Sequence, residues 1–496
     1  MIETNSVPVR EIILRQAGLM TGPILALGLY LATANTLDEA ARITAAIAVL
    51  MVVFWVTEAL PIAVTALLPL ALLPTLGVMS IQAAAAPFAK PVIFLFLGGF
   101  MIAAAVERCG LHTRLAYVVL RFIGRSSGQV LAGCMLATAF LSMWISNTAA
   151  TVVMLPIATS LARALGARTE ETATTAEQTR IDCCFLLGIA YAANIGGLGT
   201  IIGTPPNALL AGFLAEQGIT LSFGTWMLFA LPVVGLLLGA CWLLLYRIGL
   251  NSAVRHLSVP RDCLDTMRKD LGPMSRNQWV VLVVFLCSVA LWMTHEPLSH
   301  WHALVNWLPA IAHLSDASIA MIAAVTLFLL PDSEAKGSRI LDWSIASQLP
   351  WGVLILIGGG MSLGLAMSVS GLTEVMGQGL QAIVNLPLII MILVVTGLVV
   401  FLTEVISNTA ITAALLPVLF GLTSTLELEP FFLLVPATLA ASCAFMLPVG
   451  TPPNAVVHST GHVPTPTMMR YGLGLNVLAT LLITAAMYLF GKGLLT

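Results

Sequence analysis

The sequence predicts an all-α polytopic membrane protein with about eleven transmembrane helices and two re-entrant helical hairpins. Three observations carry that expectation. Of the 496 residues, 59% are hydrophobic and only 9% charged, against about 25% charged in soluble chains. Apolar runs of about 18 residues or more recur from end to end. The alternating segments of about ten residues that build a membrane barrel are absent.

Taken in order, the elements justify themselves residue by residue. The N-terminal stretch ends near Ala32-Thr33-Ala34 in the manner of a signal peptide, but its long polar lead and Pro23 read as an uncleaved first span near 17–35. Spans follow near 42–57, 61–77 and 92–107, with Glu58 beside Pro61 as a structural cap at a helix junction. LHTRLAYVVLRFIGR (111–125) is basic and amphipathic, a helix expected to lie on the inner membrane surface. The block 128–162 is too long for one span, and its centre, Ser146-Asn147-Thr148, would sit at membrane depth. It is expected to enter and leave by the same side, because irregular backbone in a bilayer survives only where protein or a water-filled cavity covers it. A polar connector at 166–180 leads to a span at 183–215, interrupted at GTPPN (203–207), and a plain span at 223–246. The basic linker 251–277 precedes spans near 278–294, 315–331 and 350–368. Between the first two, His295, Glu296, His300 and His302 would suit zinc in number. Their neighbours Trp292, Trp301 and Trp307 mark an exposed interfacial loop instead. Gly360 and Gly364 form a close-packing GxxxG. A second hairpin at 386–421, a second interrupted span at 430–463 and a last span at 471–493 complete the chain.

Charge and repetition organise these elements. With the N-terminus inside and the hairpins making no net crossing, all of the 21 Lys and Arg except Arg42, Lys90 and Lys492 fall on the inner side. That layout gives eleven crossings, with the C-terminus outside. WISNTAATVVMLP (144–156) returns as VISNTAITAALLP (405–417), and GTPPNA at 203–208 returns at 450–455. IFLFLGGFMIAAAVERCGL (93–111) matches VLILIGGGMSLGLAMSVSGL (353–372). The chain therefore divides into an N-terminal segment, 1–41, a first repeat, 42–250, and, after the linker, a second repeat, 278–496. An odd number of crossings separates the copies, so the repeats are inverted. Inverted repeats with broken helices meeting at the midplane mark secondary transporters. The eight cysteines show no C-x-x-C spacing and read as small packing residues.

The chemistry lies at the tips and breaks. Ser and Thr hydroxyls and Asn carbonyl oxygens are neutral ligands suited to a hard monovalent cation, while a helix that begins at SNT presents free amide donors to an anion. At GTPPN the prolines end regular helix, freeing carbonyls before the break and N–H groups after it. Gly203 and Gly450 would lend carbonyls to a cation, and Thr204 and Thr451 hydroxyls to the ligand. No Lys, Arg or His lies in either tip or break. A bound dianion would then draw its positive charge from co-bound cations and helix ends, which couples the two thermodynamically. Glu404, three residues before Ser407, stands where the first repeat has Met143 and is expected to brace its tip through a local amide or hydroxyl. GGLGTIIG (196–203) departs from the dinucleotide fingerprint in spacing, and no strand precedes it.

From FWVTEALPIAVTALLP (54–69) through both SNT and both GTPPN motifs, in order, the chain resembles the divalent anion/sodium symporter family, carriers of di- and tricarboxylates and sulfate. That resemblance implies a homodimer in the lipid bilayer, each protomer divided into a scaffold and a mobile, elevator-type transport domain. It implies one sodium site at Ser142, Ser146, Asn147 and the Gly203 carbonyl, and an inverted partner at Thr403, Ser407, Asn408 and the Gly450 carbonyl. The anion would be held by Asn147, Thr148, Thr204, Asn408, Thr409, Thr451 and Pro452. The expected function is sodium-coupled symport of C4-dicarboxylates such as succinate, malate and fumarate. No catalytic residue, organic cofactor or nucleic-acid partner is expected, and the expected location is a bacterial inner membrane. An exchanger or a citrate or sulfate carrier of the same family is the nearest alternative. An anion channel would need a continuous pore, and an enzyme would need an acid–base or nucleophile constellation that the spans lack.

Overall fold

A computed structural model describes residues 9–122, 124, 126–166, 175–250, 252–255, 257–258, 269, 271–335, 337–373, 375 and 386–494. Arg125, Arg168, Arg261, Arg268, Lys336, Cys263, most of the connector 166–180 and about half of the linker 251–277 lie outside them. Among the described residues the regular structure is helical apart from two isolated β-bridges. The longer helices of the first half are α1 (Val9–Ala32), α2 (Glu39–Thr57), α3 (Ile62–Thr65), α4 (Leu68–Thr75), α5 (Ile81–Ala85), α6 (Pro91–Arg108) and α7 (Leu111–Phe122). Then come α8 (Ser127–Ser142), α9 (Asn147–Gly166), α10 (Thr175–Gly197), α11 (Pro205–Glu216) and α12 (Phe223–Leu244). The second half has α13 (Arg276–Ser299), α14 (Asp316–Leu329), α15 (Trp351–Val369), α16 (Leu388–Leu402), α17 (Asn408–Thr425), α18 (Phe431–Ala441), α19 (Pro452–Ser459) and α20 (Thr465–Leu494).

Local chemistry sets the ends. Glu58 takes the left-handed conformation (φ 49°) that closes α2, its N–H bonded to Phe54 O, and Pro61 follows. Ser126 with Gln129 and Ser275 with Gln278 form reciprocal capping boxes that start α8 and α13. Ser222 caps α12 by accepting from Thr225 N–H. Among the described residues, eight helical segments are long and apolar enough to cross a membrane. Large apolar side chains such as Val283, Leu286, Leu481 and Leu489 point outward from them, and Met20 and Ile24 do so from α1, as lipid contact requires.

Two packing groups emerge. α8–α12 and α16–α20 gather around both breaks; α2–α6 and α13–α15 form a second body, and α11 and α17 meet it at α15. Gly364 of α15 leaves no room for a Cβ, which would lie 2.8 Å from a Phe213 ring carbon of α11. α7 keeps Leu111, Ala116 and Leu120 buried, and its Arg114 clamps the end of the linker through Leu271 O, Gly272 O and Pro273 O.

Two expectations need correction. The span near 61–77 is broken at Ala66-Leu67 into α3 and α4, because Pro69 has no N–H for a continuous helix. The segment holding His295 and Glu296 is no loop but the last turns of α13, with Trp292 buried. His295 Nε2 lies 2.8 Å from Asp316 Oδ1, and no cluster of three metal-type side chains occurs among the described residues.

Candidate functional site

Both SNT clusters are tips between two helical arms. α8 ends at Ser142, residues 143–146 turn, and α9 begins at Asn147; α16, residues 403–407 and α17 repeat the pattern. Ser146 Oγ accepts from Ala149 N–H at 3.1 Å and so caps α9. Each break lies beside its tip. The Thr200 hydroxyl donates to Met143 O at 2.6 Å, and Trp226 Nε1 donates to Leu198 O at 3.0 Å.

A dense oxygen cluster sits where each tip meets its break. Ser142 Oγ lies 2.7 Å from both Asn147 Oδ1 and Ala193 O. Thr403 Oγ1 lies 2.6 Å from Asn408 Oδ1 and 2.7 Å from Ala441 O. A hydroxyl has one hydrogen, so each serves only one of its two acceptors. With each asparagine amide placed oxygen-first toward the hydroxyl, the remaining oxygen pair lies at hydrogen-bond distance with no proton between, an arrangement that a cation relieves; the opposite amide placement would satisfy the same atoms by hydrogen bonds alone. At the first cluster a Cβ on Gly197 would stand 2.7 Å from Asn147 Oδ1 and 3.2 Å from Gly203 O, so only glycine fits there. Gly203 thus joins Asn147, Ser142 and Ser146 at one tip. Around Gly450 the near neighbours are the Glu404 carboxylate, Ala444 and the Leu447 carbonyl.

The asparagines of the two GTPPN motifs hold the breaks. Asn207 Nδ2 faces Gly197 O, Leu198 O and Thr200 O at 3.1, 3.3 and 2.8 Å. Asn454 Nδ2 faces Ala444 O and Leu447 O, each at 3.0 Å. Each takes up carbonyls that the interrupted helix cannot bond. The second break adds Glu404, 4% exposed, which accepts from the N–H groups of Phe445, Met446 and Leu447 at 2.7–3.0 Å and from Asn476 Nδ2 at 2.7 Å. Four N–H donors thus converge on its two oxygens. It ties its tip to the break and to α20.

Between the two clusters lies a cavity of about 1490 Å³, lined by Ser146, Asn147, Thr148, Gly203, Thr204, Ser407, Asn408, Thr409, Gly450, Thr451 and Pro452. Ser142 and Thr403 stand behind it, fully buried. The N-termini of α9, α11, α17 and α19 converge on this space; α11 and α19 open on Pro205-Pro206 and Pro452-Pro453, which carry no N–H, so amide donors come from the starts of α9 and α17, and the tips and breaks add no cationic side chain. Among the described residues the hydroxyls of Thr148, Thr204 and Thr409 bond to no protein group, which leaves them for a ligand. The cavity runs to a rim with Arg15, Glu58, Glu107, Arg108 and Gln348. At that rim Arg15 pairs with Glu58 at 3.5 Å, and Arg108 with Asp342 at 3.0 Å and Asp332 at 3.6 Å. The Glu334 N–H and the Asn277 amide, with Arg108 behind them, hold the Asp332 carboxyl below its usual range; the Ser344 hydroxyl does most to hold Asp342 low.

The residues expected from sequence therefore come together around one space. Nothing in the sequence marks the Ala193 and Ala441 carbonyls, since a backbone oxygen carries no residue signature. Asn194, whose Nδ2 reaches Thr451, was equally hidden.

A profile described as the sodium:sulfate symporter transmembrane region matches residues 19–496. The chain is 40% identical over 475 residues to the "Sodium-dependent dicarboxylate transporter SdcS" of Staphylococcus saprophyticus, covering 95% of this chain and 90% of that protein. The protein of the same name from Staphylococcus aureus strain USA300 is 37% identical over 474 residues, with the same coverage. Among solved structures, the Alcanivorax borkumensis YdaH transporter superposes with a TM-score of 0.57 at 17% identity, over 82% of this chain and 86% of its own. Neisseria gonorrhoeae MtrF gives 0.53 at 10% identity, over 92% and 96%. At such identities the structural likeness speaks for the helical fold alone.

Proposed function

The chain belongs to the sodium:sulfate symporter family, and from that premise we propose that it is a sodium-coupled symporter of C4-dicarboxylates such as succinate, malate and fumarate. The observation that carries this reading is the pair of proton-poor oxygen clusters, one at each tip, flanking a cavity walled by helix N-termini. One sodium ion is held by Ser142, Ser146, Asn147 and the Gly203 carbonyl, with Ala193 O added from the geometry. The other is held by Thr403, Ser407, Asn408 and the Gly450 carbonyl, with Ala441 O. The dicarboxylate lies between them, against Asn147, Thr148, Thr204, Asn408, Thr409, Thr451 and Pro452. The relatives named as sodium-dependent dicarboxylate transporters support this substrate class.

Coupling follows from charge. A dianion seated between tips and breaks that carry no cationic side chain, with Arg15 and Arg108 at the rim already paired to carboxylates, meets too little positive potential, so it binds well only beside two bound cations. In this mechanism α8–α12 with α16–α20 carry the site, and α2–α6 with α13–α15 stay fixed in the bilayer, the movement being elevator-like. The first arms, α8 with 16 residues and α16 with 15, rise about 24 and 22 Å at about 1.5 Å per residue. That is short of a hydrocarbon core of about 30 Å, and each first arm ends at a polar tip, which fits re-entrant hairpins; the eleven crossings in two inverted repeats rest on the distribution of basic residues. The rim with Arg15 and Arg108 belongs to the cytoplasmic side by the distribution of basic residues. The N-terminus is then inside, the C-terminus outside, and the cavity inward-open. The working unit is a homodimer in a bacterial inner membrane.

Uptake of radiolabelled succinate into proteoliposomes tests the proposal. It should saturate, rise under an inward sodium gradient and fall with unlabelled malate or fumarate. Uptake indifferent to sodium but driven by internal dicarboxylate would make the protein an exchanger, and a non-saturating current would make it a channel.

A further inference from the structure

Asn194 sits at the end of α10, 1% exposed, in the first half of the chain, yet its amide reaches across to the second break. Its Nδ2 lies 2.9 Å from Thr451 Oγ1 and 3.5 Å from Asn454 Oδ1. The orientation of this amide is set by its neighbour. Asn454 commits its own NH₂ to Ala444 O and Leu447 O, which turns its Oδ1 toward Asn194. A flipped Asn194 would set two carbonyl oxygens against each other, so Asn194 must present its NH₂.

The consequence falls on Thr451. Its Oγ1 receives a hydrogen from Asn194, and its hydroxyl makes no cap bond with α19. A hydroxyl that accepts on that side has its own hydrogen free to point elsewhere, and Thr451 lines the cavity. The first half has no such arrangement. Ala193 O and Ala441 O serve their tips in the same way, so the residue after each, Asn194 and Ser442, holds the matching place. Ser442 Oγ is buried without a hydrogen-bond partner, and among the described residues the Thr204 hydroxyl bonds to no protein group.

We infer that Asn194 is a positioning residue that presets the Thr451 hydroxyl as a donor to one carboxylate of the bound dicarboxylate. The inference rests on the site proposed above. It makes the two ends of the substrate unequal: the end at Thr451 meets an oriented donor, and the end at Thr204 meets a free rotor. The side-chain relay from Asn454 through Asn194 to Thr451 acts on anion affinity; because Ala193 O of the first cluster shares its peptide with Asn194, which also lines the cavity, the sodium response is read beside KM.

The test is a double-mutant cycle in proteoliposomes with Asn194→Ala, Thr451→Val and both together, reading succinate KM, turnover and the sodium concentration for half-maximal uptake. Thr451→Val should raise KM about tenfold or more, the order of one lost hydrogen bond to a charged group, and Asn194→Ala about fivefold, within the range of one lost neutral hydrogen bond. Turnover and sodium half-saturation should stay within about twofold of the unmodified protein, roughly the measuring scatter of one small free-energy step. The double variant should match Thr451→Val alone, because Asn194 acts only through that hydroxyl. Asn194→Ser, a smaller disturbance read by the same criteria, replaces Asn194→Ala if the alanine protein is not monodisperse. An unchanged KM in the Asn194 variants, or multiplying effects in the double variant, overturns the inference while Thr451→Val still responds. An unchanged KM in Thr451→Val overturns the site reading and this inference with it.

Discussion

At Asn147 and Asn408 one side-chain oxygen faces a hydroxyl that must also serve a backbone carbonyl. Each asparagine also begins the second arm of its hairpin, so the same residue touches the oxygen cluster and the cavity. Asn147→Ala and Asn408→Ala should each abolish sodium-driven succinate uptake while the purified protein stays monodisperse. Normal uptake by either would remove that residue from the site. Gly197→Ala makes a sharper probe, since a Cβ there would stand 2.7 Å from Asn147 Oδ1. It should raise the sodium concentration for half-maximal uptake at least about tenfold by displacing a ligand, the order of one lost charge-assisted bond. An unchanged sodium response would contradict the cluster geometry. At this scale the sequence was informative about side chains and silent about backbone. SNT and GTPPN announced themselves by duplication. Ala193 O, Ala441 O and the reach of Asn194 to Thr451 depend on a fold that brings residues 257 positions apart within hydrogen-bond distance.

At the scale of elements, an interrupted helix in a membrane must satisfy what its interruption exposes, because lipid offers no hydrogen bonds. The two breaks solve this alike through Asn207 and Asn454, and differently at the carboxylate: Glu404 takes three backbone N–H groups and the Asn476 amide, where the other half has Met143. Glu404→Ala should orphan those donors, each costing about 1–3 kcal/mol, and lower the melting temperature of the detergent-solubilised protein clearly. Unchanged melting would show that the carboxylate does not hold the break. A helix count from apolar runs could foresee the hairpins, since 128–162 and 386–421 were too long for single spans. It passed over the break in 61–77, because a count of apolar residues runs straight through Pro69, whose missing N–H is what ends the helix there. Nor could it show that α13 would run on through His295, whose imidazole is taken by Asp316 rather than left to solvent.

Across the whole molecule, two packing groups meet along α11, α15 and α17, and the cavity lies between the tips of one group and the rim contributed by the other. The absence of Lys, Arg and His from both tips and breaks was legible from the first reading, and the geometry gives it a setting: helix N-termini around the cavity and proton-poor oxygens behind it. The central claim is that sodium supplies the charge the protein withholds. Equilibrium binding of succinate to the purified protein, titrated with sodium chloride against potassium chloride at constant ionic strength, tests it most directly. The account predicts that succinate affinity rises at least about tenfold from sodium-free to saturating sodium, the reciprocal coupling of two ligands that share one site. Equal succinate affinity in sodium and in potassium would contradict it.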